Sequence, residues 1–404
     1  MNIDYKALAS VYDTPFYIYD FDDIKNRFLA LKNAFAARKS QIFYAIKANS
    51  NLSILKLLVS LDSGFDCVSI NEIKRALKAG AKPYKIIFSG VGKTTKELKE
   101  ALKLNILYIN LESPAEMYIL ENIAKDLNTK ARISIRINPN IDAKTHPYIS
   151  TGLNENKFGV ELNDARKMYI HAKKSEFLDP IGVHFHIGSQ LLDPKPIFEA
   201  THLIAQFAKE LKAIDIDLRF FDIGGGIGIP YQNETPIDLY NYAQGILKYL
   251  NGLDITIGLE PGRYLVGPSG ELVCEILYEK TNKNKRFIIV DAAMNDLLRP
   301  SLYDAYHDIK IIQNNPNNET SICDVVGGIC ESGDFFARDR MLPSSNSGDL
   351  MVIKDAGAYG FSMASNYNSR PMICELALEN GDIRMIRARQ SFDELISNEI
   401  KYLK

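Results

Sequence analysis

The 404-residue sequence lacks several features that would place it in a functional class directly. Its 48 basic and 50 acidic residues are mixed along the chain, so no basic patch of the kind that binds nucleic acid or an anionic membrane is visible. No run of 18 apolar residues occurs, and the first 15 residues contain no basic segment followed by an apolar core. We therefore expect a soluble, cytoplasmic protein without nucleic-acid or membrane partners.

Cysteine is scarce and scattered. The five cysteines are odd in number and include no Cys-x-x-Cys pair; they are Cys67, Cys274, Cys323, Cys330 and Cys374. A disulfide framework and a cysteine-based zinc site both need paired cysteines at suitable spacings. The sequence instead predicts free thiols in a reducing compartment.

Apolar, strand-like runs recur through the first two thirds of the chain. There are eight, at residues 42–47, 64–69, 86–90, 106–111, 131–137, 181–187, 219–224 and 255–260. Helical stretches such as 71–79 and 95–104 separate the early runs, which is typical of parallel βαβ units. Eight units favour a closed (β/α)8 TIM-like barrel, with a doubly wound parallel sheet as the alternative.

The pattern changes near Leu265. Short apolar runs separated by turns, with few helical periods, predict a mainly antiparallel β-domain; the runs are 271–280, 286–292, 320–327, 349–356, 372–379 and 382–389. A further short strand at 16–20 could join this sheet. We therefore expect an α/β protein, with a barrel over residues 25–264 and a β-domain formed by 1–24 and 265–404.

Functional-looking side chains follow six of the eight barrel strands. In a barrel the reactive groups lie at the carboxyl ends of the strands. Lys47 ends the first run, and a partly desolvated amine at such a position can act as a nucleophile. Taken alone, the heptapeptide 43–49 favours a strand-end lysine that points into water, and the rest of the chain changes that interpretation. The other five strands contribute Asp66, Arg136, His184 with His186, Asp222 with the glycines after it, and Glu260 with Arg263.

The run Gly224-Gly225-Gly226 predicts an anion site, because its backbone can turn tightly and direct N–H groups at a phosphate. Arg263 and Ser189 supply a positive charge and a hydroxyl nearby in the predicted barrel. His184 and His186 would share a strand face, but no third ligand stands at a persuasive spacing, so we predict no metal. Glu260 at a buried strand end needs a partner, and a protonated ring nitrogen would suit it.

A lysine, a phosphate cradle, an acid for a ring nitrogen and an imidazole together describe a pyridoxal phosphate site. The segments YAIKAN, GFDCVS, GVHFHIGSQ, DIGGG, EPGR, CESGD and DAGAYGFSMASNYNSRP resemble those of the alanine-racemase-fold family of pyridoxal-phosphate-dependent decarboxylases. The resemblance covers roughly residues 14 to 392. Single motifs occur in ornithine and arginine decarboxylases as well, whereas the ordered set is most similar to the members that act on meso-diaminopimelate.

The resemblance implies roles for residues around the cofactor. Lys47 would hold pyridoxal phosphate covalently, His186 would stack on its ring, and Glu260 would pair with the ring nitrogen. Racemases of this fold place an arginine at that nitrogen, so Glu260 indicates decarboxylation. The other cofactor-binding residues implied are Asp66, Ser189, Gly224, Gly225, Gly226, Gly262, Arg263 and Tyr359.

The resemblance also implies a substrate site completed by a partner subunit in a homodimer. Cys330 would be the proton donor to the α-carbon, alone or together with Lys47, although a cysteine is often only a buried structural thiol. Arg299 and Tyr303 match positions that hold the distal carboxylate of the substrate, and Glu331 matches the position at its distal amine. Arg263 and Tyr359 would also contact the substrate. Gly328 departs from the family, which usually has proline there.

The expected reaction is therefore decarboxylation of meso-2,6-diaminoheptanedioate to L-lysine and carbon dioxide, the last step of lysine biosynthesis. A bidentate arginine suits a second carboxylate and would repel the bare ammonium of ornithine or lysine. Two alternatives stay open at this point. One is another basic amino-acid decarboxylase of the same fold, acting on ornithine, arginine or carboxynorspermidine; the other is a non-catalytic homologue that binds the cofactor.

Overall fold

The computed structural model describes residues 3–142, 152, 156–314 and 319–403. The chain divides into two compact units. One contains residues 25–230 and 234–264, and we call it the barrel unit; the other contains residues 1–24, 231–233 and 265–404, and we call it the β-unit. Tyr231–Asn233 thus belongs to the β-unit although its neighbours in sequence belong to the barrel unit.

The first elements of the chain are helix α1 (Tyr5–Tyr12), strand β1 (Phe16–Asp20) and helix α2 (Phe21–Ala34). The carboxylate of Asp4 caps α1 by accepting a hydrogen bond from the Ala7 amide. Strand β1 follows Pro15 and is almost fully buried, as expected for an aromatic and β-branched segment.

The barrel unit is built on eight parallel strands. They are β2 (Ser40–Ala45), β3 (Gly64–Cys67), β4 (Ile86–Phe88), β5 (Tyr108–Leu111), β6 (Ala131–Arg136), β7 (Leu178–His184), β8 (Phe220–Asp222) and β9 (Thr256–Leu259). Each strand pairs with the next, and the pairing of Ser40 with Ile257 closes the barrel. The prediction of a (β/α)8 barrel is confirmed, and an open doubly wound sheet is excluded.

Helices connect the barrel strands. They are α3 (Leu52–Ser60), α4 (Ile70–Lys78), α5 (Thr95–Lys103), α6 (Pro114–Asp126), α7 (Leu162–Lys174), α8 (Lys195–Ala213) and α9 (Leu239–Leu247), and the four-residue α10 (Arg263–Val266) follows β9. Five begin at a side chain that accepts a backbone N–H two or three residues on: Asn51, Ser69, Thr94, Ser113 and Asp238. These caps fix where each loop ends and its helix begins.

The β-unit contains a nine-stranded sheet that includes β1. Its other strands are β10 (Gly270–Asn282), β11 (Lys285–Val290), β12 (Ile309–Ile312), β13 (Thr320–Val326), β14 (Phe335–Pro343), β15 (Leu350–Ile353), β16 (Cys374–Glu379) and β17 (Asp382–Arg387). The β-unit also contains α1 and the short helices α11 (Arg299–Tyr303) and α12 (Phe392–Ile396). The mainly antiparallel sheet is confirmed; among its described strands, only β1 with β16 and β11 with β13 pair in parallel.

Single-turn 3-10 helices occupy several loops. They lie at Ile46–Ala48, Pro83–Lys85, Lys248–Leu250, Phe361–Met363, Tyr367–Ser369 and Ile400–Tyr402. Within the described ranges, no helix is long and apolar enough to cross a membrane.

Candidate active site

Lys47 lies at the carboxyl end of the first barrel strand. Strand β2 ends at Ala45, two residues earlier than the sequence predicted, and Lys47 is in the middle of the single turn Ile46–Ala48. Its neighbours Ile46 and Ala48 are buried, whereas 43% of its own side chain is exposed. Its Nζ is 3.5 Å from the carboxylate of buried Asp66. Asp66 is the penultimate residue of the neighbouring strand β3. An accessible amine beside a buried carboxylate can react and remain oriented.

Glu260 follows β9 directly and is buried. Burial raises the pKa of its carboxyl well above the usual range, and the nearby Asp66 raises it further. The Nε2 atom of His184 is 3.3 Å from Glu260 Oε2. The Oε1 atom also lies 3.3 Å from Nε2, but among the described residues it accepts no hydrogen bond.

His184, the last residue of β7, contacts Glu260 from the barrel interior. Burial lowers its pKa to about 4, so the ring is neutral near pH 7. The hydrogen bond between Nε2 and the Glu260 carboxyl group joins two buried side chains. It fixes the orientation of both.

Asp222 ends β8 and is fully buried. It accepts hydrogen bonds from the Tyr108 hydroxyl at 2.9 Å and from the Gly224 amide at 2.9 Å. Burial, followed by the charge of Glu260, raises its pKa to about 8. Asp222 links the barrel core to the start of the glycine run, a role that the sequence did not predict.

The ligand atoms of His184, Asp222 and Glu260 lie within 4.8 Å of one another, close enough to hold a metal ion. His184 uses Nε2 in its hydrogen bond with Glu260, and Asp222 accepts from Tyr108 and the Gly224 amide. We interpret the cluster as part of a hydrogen-bonded network. The absence of a metal cofactor stays a prediction.

The glycine run follows β8 and packs against the segment after β7. A Cβ on Gly225 would be 2.2 Å from the carbonyl oxygen of Glu260, and one on Gly226 would be 2.6 Å from that of Gly188. Gly224 and Gly226 also have φ values of 68° and 107°, which favour glycine. No side chain could replace these hydrogens without moving backbone.

His186 lies beyond the end of β7, so the alternation of a strand does not relate its side chain to that of His184. Its Nδ1 accepts a hydrogen bond from the Gly225 amide at 3.2 Å. Burial lowers the pKa of His186, and the neighbouring charge of Arg136 lowers it further, so the ring is neutral with its proton on Nε2. Two of the three glycine amides, those of Gly224 and Gly225, are thus used within the protein.

Arg263, Ser189 and Gly262 lie together after β7 and β9. Arg263 is buried, and its Nη2 donates to Ser189 Oγ at 3.2 Å. Gly262, also buried, precedes Arg263 at the start of α10. A guanidinium and a hydroxyl beside a glycine-rich loop form an anion-binding set.

A buried ion network supports this side of the barrel. Arg136 at the end of β6 pairs with Glu112 at 3.1 Å and lies 3.5 Å from the His186 carbonyl oxygen. Burial alone would raise the pKa of Glu112, but Arg136, with Lys93 and the Gly159 amide, lowers it overall. The sequence had indicated Arg136 as a strand-end residue but gave no sign of its partner.

In the β-unit, Arg299 and Tyr303 are the first and last residues of α11. Arg299 is buried, whereas Tyr303 is half-buried. The Arg299 guanidinium carbon is 4.8 Å from the ring centroid of Tyr231, and its Nη1 is 2.7 Å from His307 Nε2. The sequence indicated neither Tyr231 nor His307.

Cys330, Glu331 and Tyr359 also lie in the β-unit. Cys330 is exposed, and its amide donates to the side chain of Asn368 at 3.2 Å. Glu331 is exposed and accepts a hydrogen bond from the Tyr367 hydroxyl at 2.9 Å. Tyr359 is half-buried and has a φ of 57°, a strained conformation for a tyrosine.

The barrel unit fits pyridoxal phosphate on these observations. Lys47 offers an amine, Glu260 Oε1 offers a buried acceptor, and Arg263 and Ser189 beside the Gly226 amide offer an anion site. The structure thus brings the predicted cofactor residues of the barrel together at the carboxyl ends of its strands. The other predicted site residues lie in the β-unit: Arg299, Tyr303, Cys330, Glu331 and Tyr359.

Comparison with known proteins agrees with this site. Residues 21–267 match the family described as "Pyridoxal-dependent decarboxylase, pyridoxal binding domain". Because this match covers more than half of the chain, the protein belongs to the pyridoxal-dependent decarboxylases. Its cofactor is pyridoxal phosphate.

Relatives with high sequence identity indicate which subgroup of this decarboxylase family the chain belongs to. Diaminopimelate decarboxylase of Campylobacter jejuni is 69% identical over 403 residues and covers 100% of both chains. The enzyme of the same name from Helicobacter pylori strain J99 is 62% identical over 99% of each chain. The crystal structure of diaminopimelate decarboxylase from Helicobacter pylori complexed with L-lysine superimposes with a TM-score of 0.96 at 61% identity, covering 99% of this chain and 100% of that one. Within its family, the chain therefore belongs to the diaminopimelate decarboxylases.

Proposed function

We propose that the protein removes one carboxylate of meso-2,6-diaminoheptanedioate as carbon dioxide and leaves L-lysine. The observation that carries this choice of substrate is the buried Arg299 guanidinium, fixed between Tyr231 and His307. A guanidinium binds a carboxylate through charge-assisted hydrogen bonds, and this substrate has a second carboxylate, which ornithine and arginine lack. Tyr303, on the same helix, adds a hydroxyl.

Pyridoxal phosphate, when bound, supplies an electron sink for the electron pair that remains on the α-carbon as carbon dioxide leaves. Lys47 holds it through its amine, and Asp66 keeps that amine oriented. Glu260 would accept a hydrogen bond from the ring nitrogen, and His184 holds Glu260 in place. His186 would lie against the ring, and Ser189, Gly224–Gly226, Gly262 and Arg263 would hold the phosphate.

Cys330 delivers a proton to the α-carbon after carbon dioxide leaves, alone or together with Lys47. Its thiol is exposed in the single chain, which suits a group that meets a substrate. Glu331 binds the distal ammonium, and Arg263 and Tyr359 contact the substrate. Gly328 stands in place of the usual proline, and this difference removes no reacting group.

We infer that two chains form a homodimer in which the β-unit of one chain completes the active site of the other. The exposure of Cys330 and Glu331 supports this inference, because both residues would act only once covered. We also infer a cytoplasmic location, which the five free thiols support.

The experiment is carbon dioxide release by the cofactor-loaded protein from meso-diaminopimelate, ornithine, arginine and carboxynorspermidine in parallel. We expect release from meso-diaminopimelate alone, with an equal amount of L-lysine. Arg299→Gln should raise KM for this substrate about 100-fold, because it removes a buried charge pair. Arg338→Gln is the matched control, since Arg338 also stacks on an aromatic ring, that of Phe335 at 3.7 Å.

Release from a monocarboxylic amino acid instead would leave the fold and cofactor intact and overturn the assignment of Arg299 and Tyr303. Bound cofactor without any turnover would indicate a non-catalytic homologue.

A further inference from the structure

We propose that His307 is a positioning residue for substrate specificity: it holds the Arg299 guanidinium in the orientation that receives the distal carboxylate. This inference rests on the proposed function, in which Arg299 binds that carboxylate. The contacts that carry it all lie within the β-unit.

The sheet fixes the position of His307. This residue lies two positions before β12, and Lys354 directly follows β15. The two strands pair in antiparallel register, and the Lys354 amide continues the ladder by donating to the Asp308 carbonyl oxygen at 2.9 Å. Arg340 donates to the His307 carbonyl oxygen at 3.1 Å from the other side. The histidine backbone is therefore held on both sides: its neighbour Asp308 is bonded to Lys354, and its own carbonyl oxygen accepts from Arg340.

The hydrogen bonds of the fully buried His307 ring define its tautomer. A guanidinium is only a donor, so His307 Nε2, 2.7 Å from Arg299 Nη1, must be the acceptor. The proton then lies on Nδ1, which donates to the Lys354 carbonyl oxygen at 2.7 Å. The two hydrogen bonds therefore have one donor direction: Arg299 donates to the His307 ring, and the ring donates to the Lys354 carbonyl oxygen.

Tyr231 fixes the remaining freedom of the guanidinium. Its ring centroid lies 4.8 Å from the guanidinium carbon of Arg299, and the same ring meets His307 edge-on at 5.4 Å and 76°. The hydrogen bond to His307 limits rotation of the guanidinium in its own plane, and the aromatic face limits its tilt. Arginine otherwise loses considerable side-chain entropy on binding, so this arrangement prepares the group for its ligand.

The test compares His307→Phe with His307→Gln in the holoenzyme. Phenylalanine keeps a ring against Tyr231 but offers no acceptor to Arg299, whereas glutamine can place its amide oxygen near the Nε2 position. Tyr306→Phe is the matched control in the same segment, because it keeps the ring that contacts Arg340 at 3.8 Å and touches neither hydrogen bond of His307.

Two readouts separate positioning from general structural damage. The first is KM and kcat for meso-diaminopimelate. The second is calorimetric binding of L-lysine, which keeps the distal carboxylate, and of 1,5-diaminopentane, which has no carboxylate. Melting temperatures of all variants check that they fold.

We expect His307→Phe to raise KM and to weaken L-lysine binding about tenfold or more, with kcat at saturation changed less than about twofold. Binding of 1,5-diaminopentane should not change, and His307→Gln should recover most of the loss. The proposal is overturned if His307→Phe leaves KM and L-lysine binding unchanged, if it weakens 1,5-diaminopentane equally, or if glutamine is no better than phenylalanine. Failure of the wild type to decarboxylate meso-diaminopimelate would refute the proposed function instead, and the two binding measurements would still test His307.

Discussion

Two buried histidines of this protein lie beside an acidic and a basic side chain. His184 in the barrel unit contacts the carboxyl group of Glu260, and His307 in the β-unit contacts the guanidinium of Arg299. Both rings make this contact through Nε2. The two partners are placed by different elements, because Glu260 directly follows strand β9 whereas Arg299 begins helix α11.

The comparison also shows how differently the two charges are held. Glu260 lies among other acids, and burial raises its pKa. Arg299 lies against an aromatic ring and a neutral acceptor. The barrel unit thus keeps a proton near its acid, whereas the β-unit presents a permanent cation. We expect the first arrangement to control chemistry and the second to control binding.

The largest effect should come from Lys47→Ala, which removes the amine on which the barrel half of the comparison depends. We expect turnover of meso-diaminopimelate to fall at least about 1,000-fold, because no other group in the proposed site holds the cofactor covalently. Initial rates and cofactor retention after gel filtration measure it. Lys74→Ala is the control, since Lys74 also pairs with a carboxylate, Glu100 at 2.9 Å, but on the surface. Normal activity in Lys47→Ala would refute the assignment.

His184→Phe should have the next largest effect, and it tests the barrel-unit histidine of the comparison between His184 and His307. Loss of the hydrogen bond to Glu260 should lower kcat about tenfold with little change in KM, and His184→Gln, which keeps a hydrogen-bonding side chain, should restore part of it. The absorbance of the bound cofactor between pH 6 and 9 should shift in the phenylalanine variant as well. His171→Phe is the control, because His171 contacts Glu121 at 2.7 Å outside the proposed site. An increase in KM without a change in kcat would contradict this prediction, because it would show that His184 acts on substrate binding, as proposed for His307.

Asp222→Asn should change how stability depends on pH. The Asp222 pKa is about 8 in the folded state and 3.8 in the unfolded reference, so its contribution to stability is complete below pH 4 and is lost as pH rises toward 8. We expect the melting temperature of the wild type to fall relative to that of Asp222→Asn between pH 5 and 8. Asp164→Asn, at an exposed residue, should show no such trend. Parallel curves for the wild type and Asp222→Asn would contradict a protonated Asp222.

The smallest effect concerns the loop before Cys330. Gly328 has a backbone φ outside the left-handed region, and a Cβ there would meet only Arg370 Nη1 at 3.6 Å. Gly328→Ala should therefore raise the free energy of unfolding by about 0.4–1 kcal/mol. Gly327→Ala should lower it by about 1–3 kcal/mol, since its Cβ would be 2.6 Å from the carbonyl oxygen of Ala292. Chemical denaturation distinguishes them, and equal effects would refute this account of the loop.

The sequence was sufficient for the positions of the eight barrel strands, because buried parallel strands appear as apolar runs bounded by turn residues. Strand ends were less accurate. Residues 46 and 47 were assigned to the first strand, but they form a separate turn because Ile46 packs inward beyond the last ladder pair. The β-unit strands Ile309–Ile312 and Phe335–Pro343 were missed, the second because its charged residues conceal the alternation.

The sequence predicted single residues of the candidate site better than the contacts between them. Lys47, the glycine run and Glu260 stand out individually, since each is unusual at a strand end. Their partners do not: His184 and Glu260 are 76 residues apart, and Asp222 contacts Tyr108 across 114 residues. Such pairs exist only after the barrel closes. His307 had no local signal at all, because an isolated histidine in a polar segment is usually unremarkable.

The short segment Tyr231–Asn233 has a consequence for domain engineering. Because it is counted with the β-unit, the chain passes between the two units four times, at residues 24, 230, 233 and 264, and not twice. A barrel excised as residues 25–264 would carry Tyr231 away from Arg299 and His307. A chimera that combines the barrel of one homologue with the β-unit of another must therefore transplant this tripeptide with the β-unit, or Arg299 and His307 will be separated from the Tyr231 ring that contacts both.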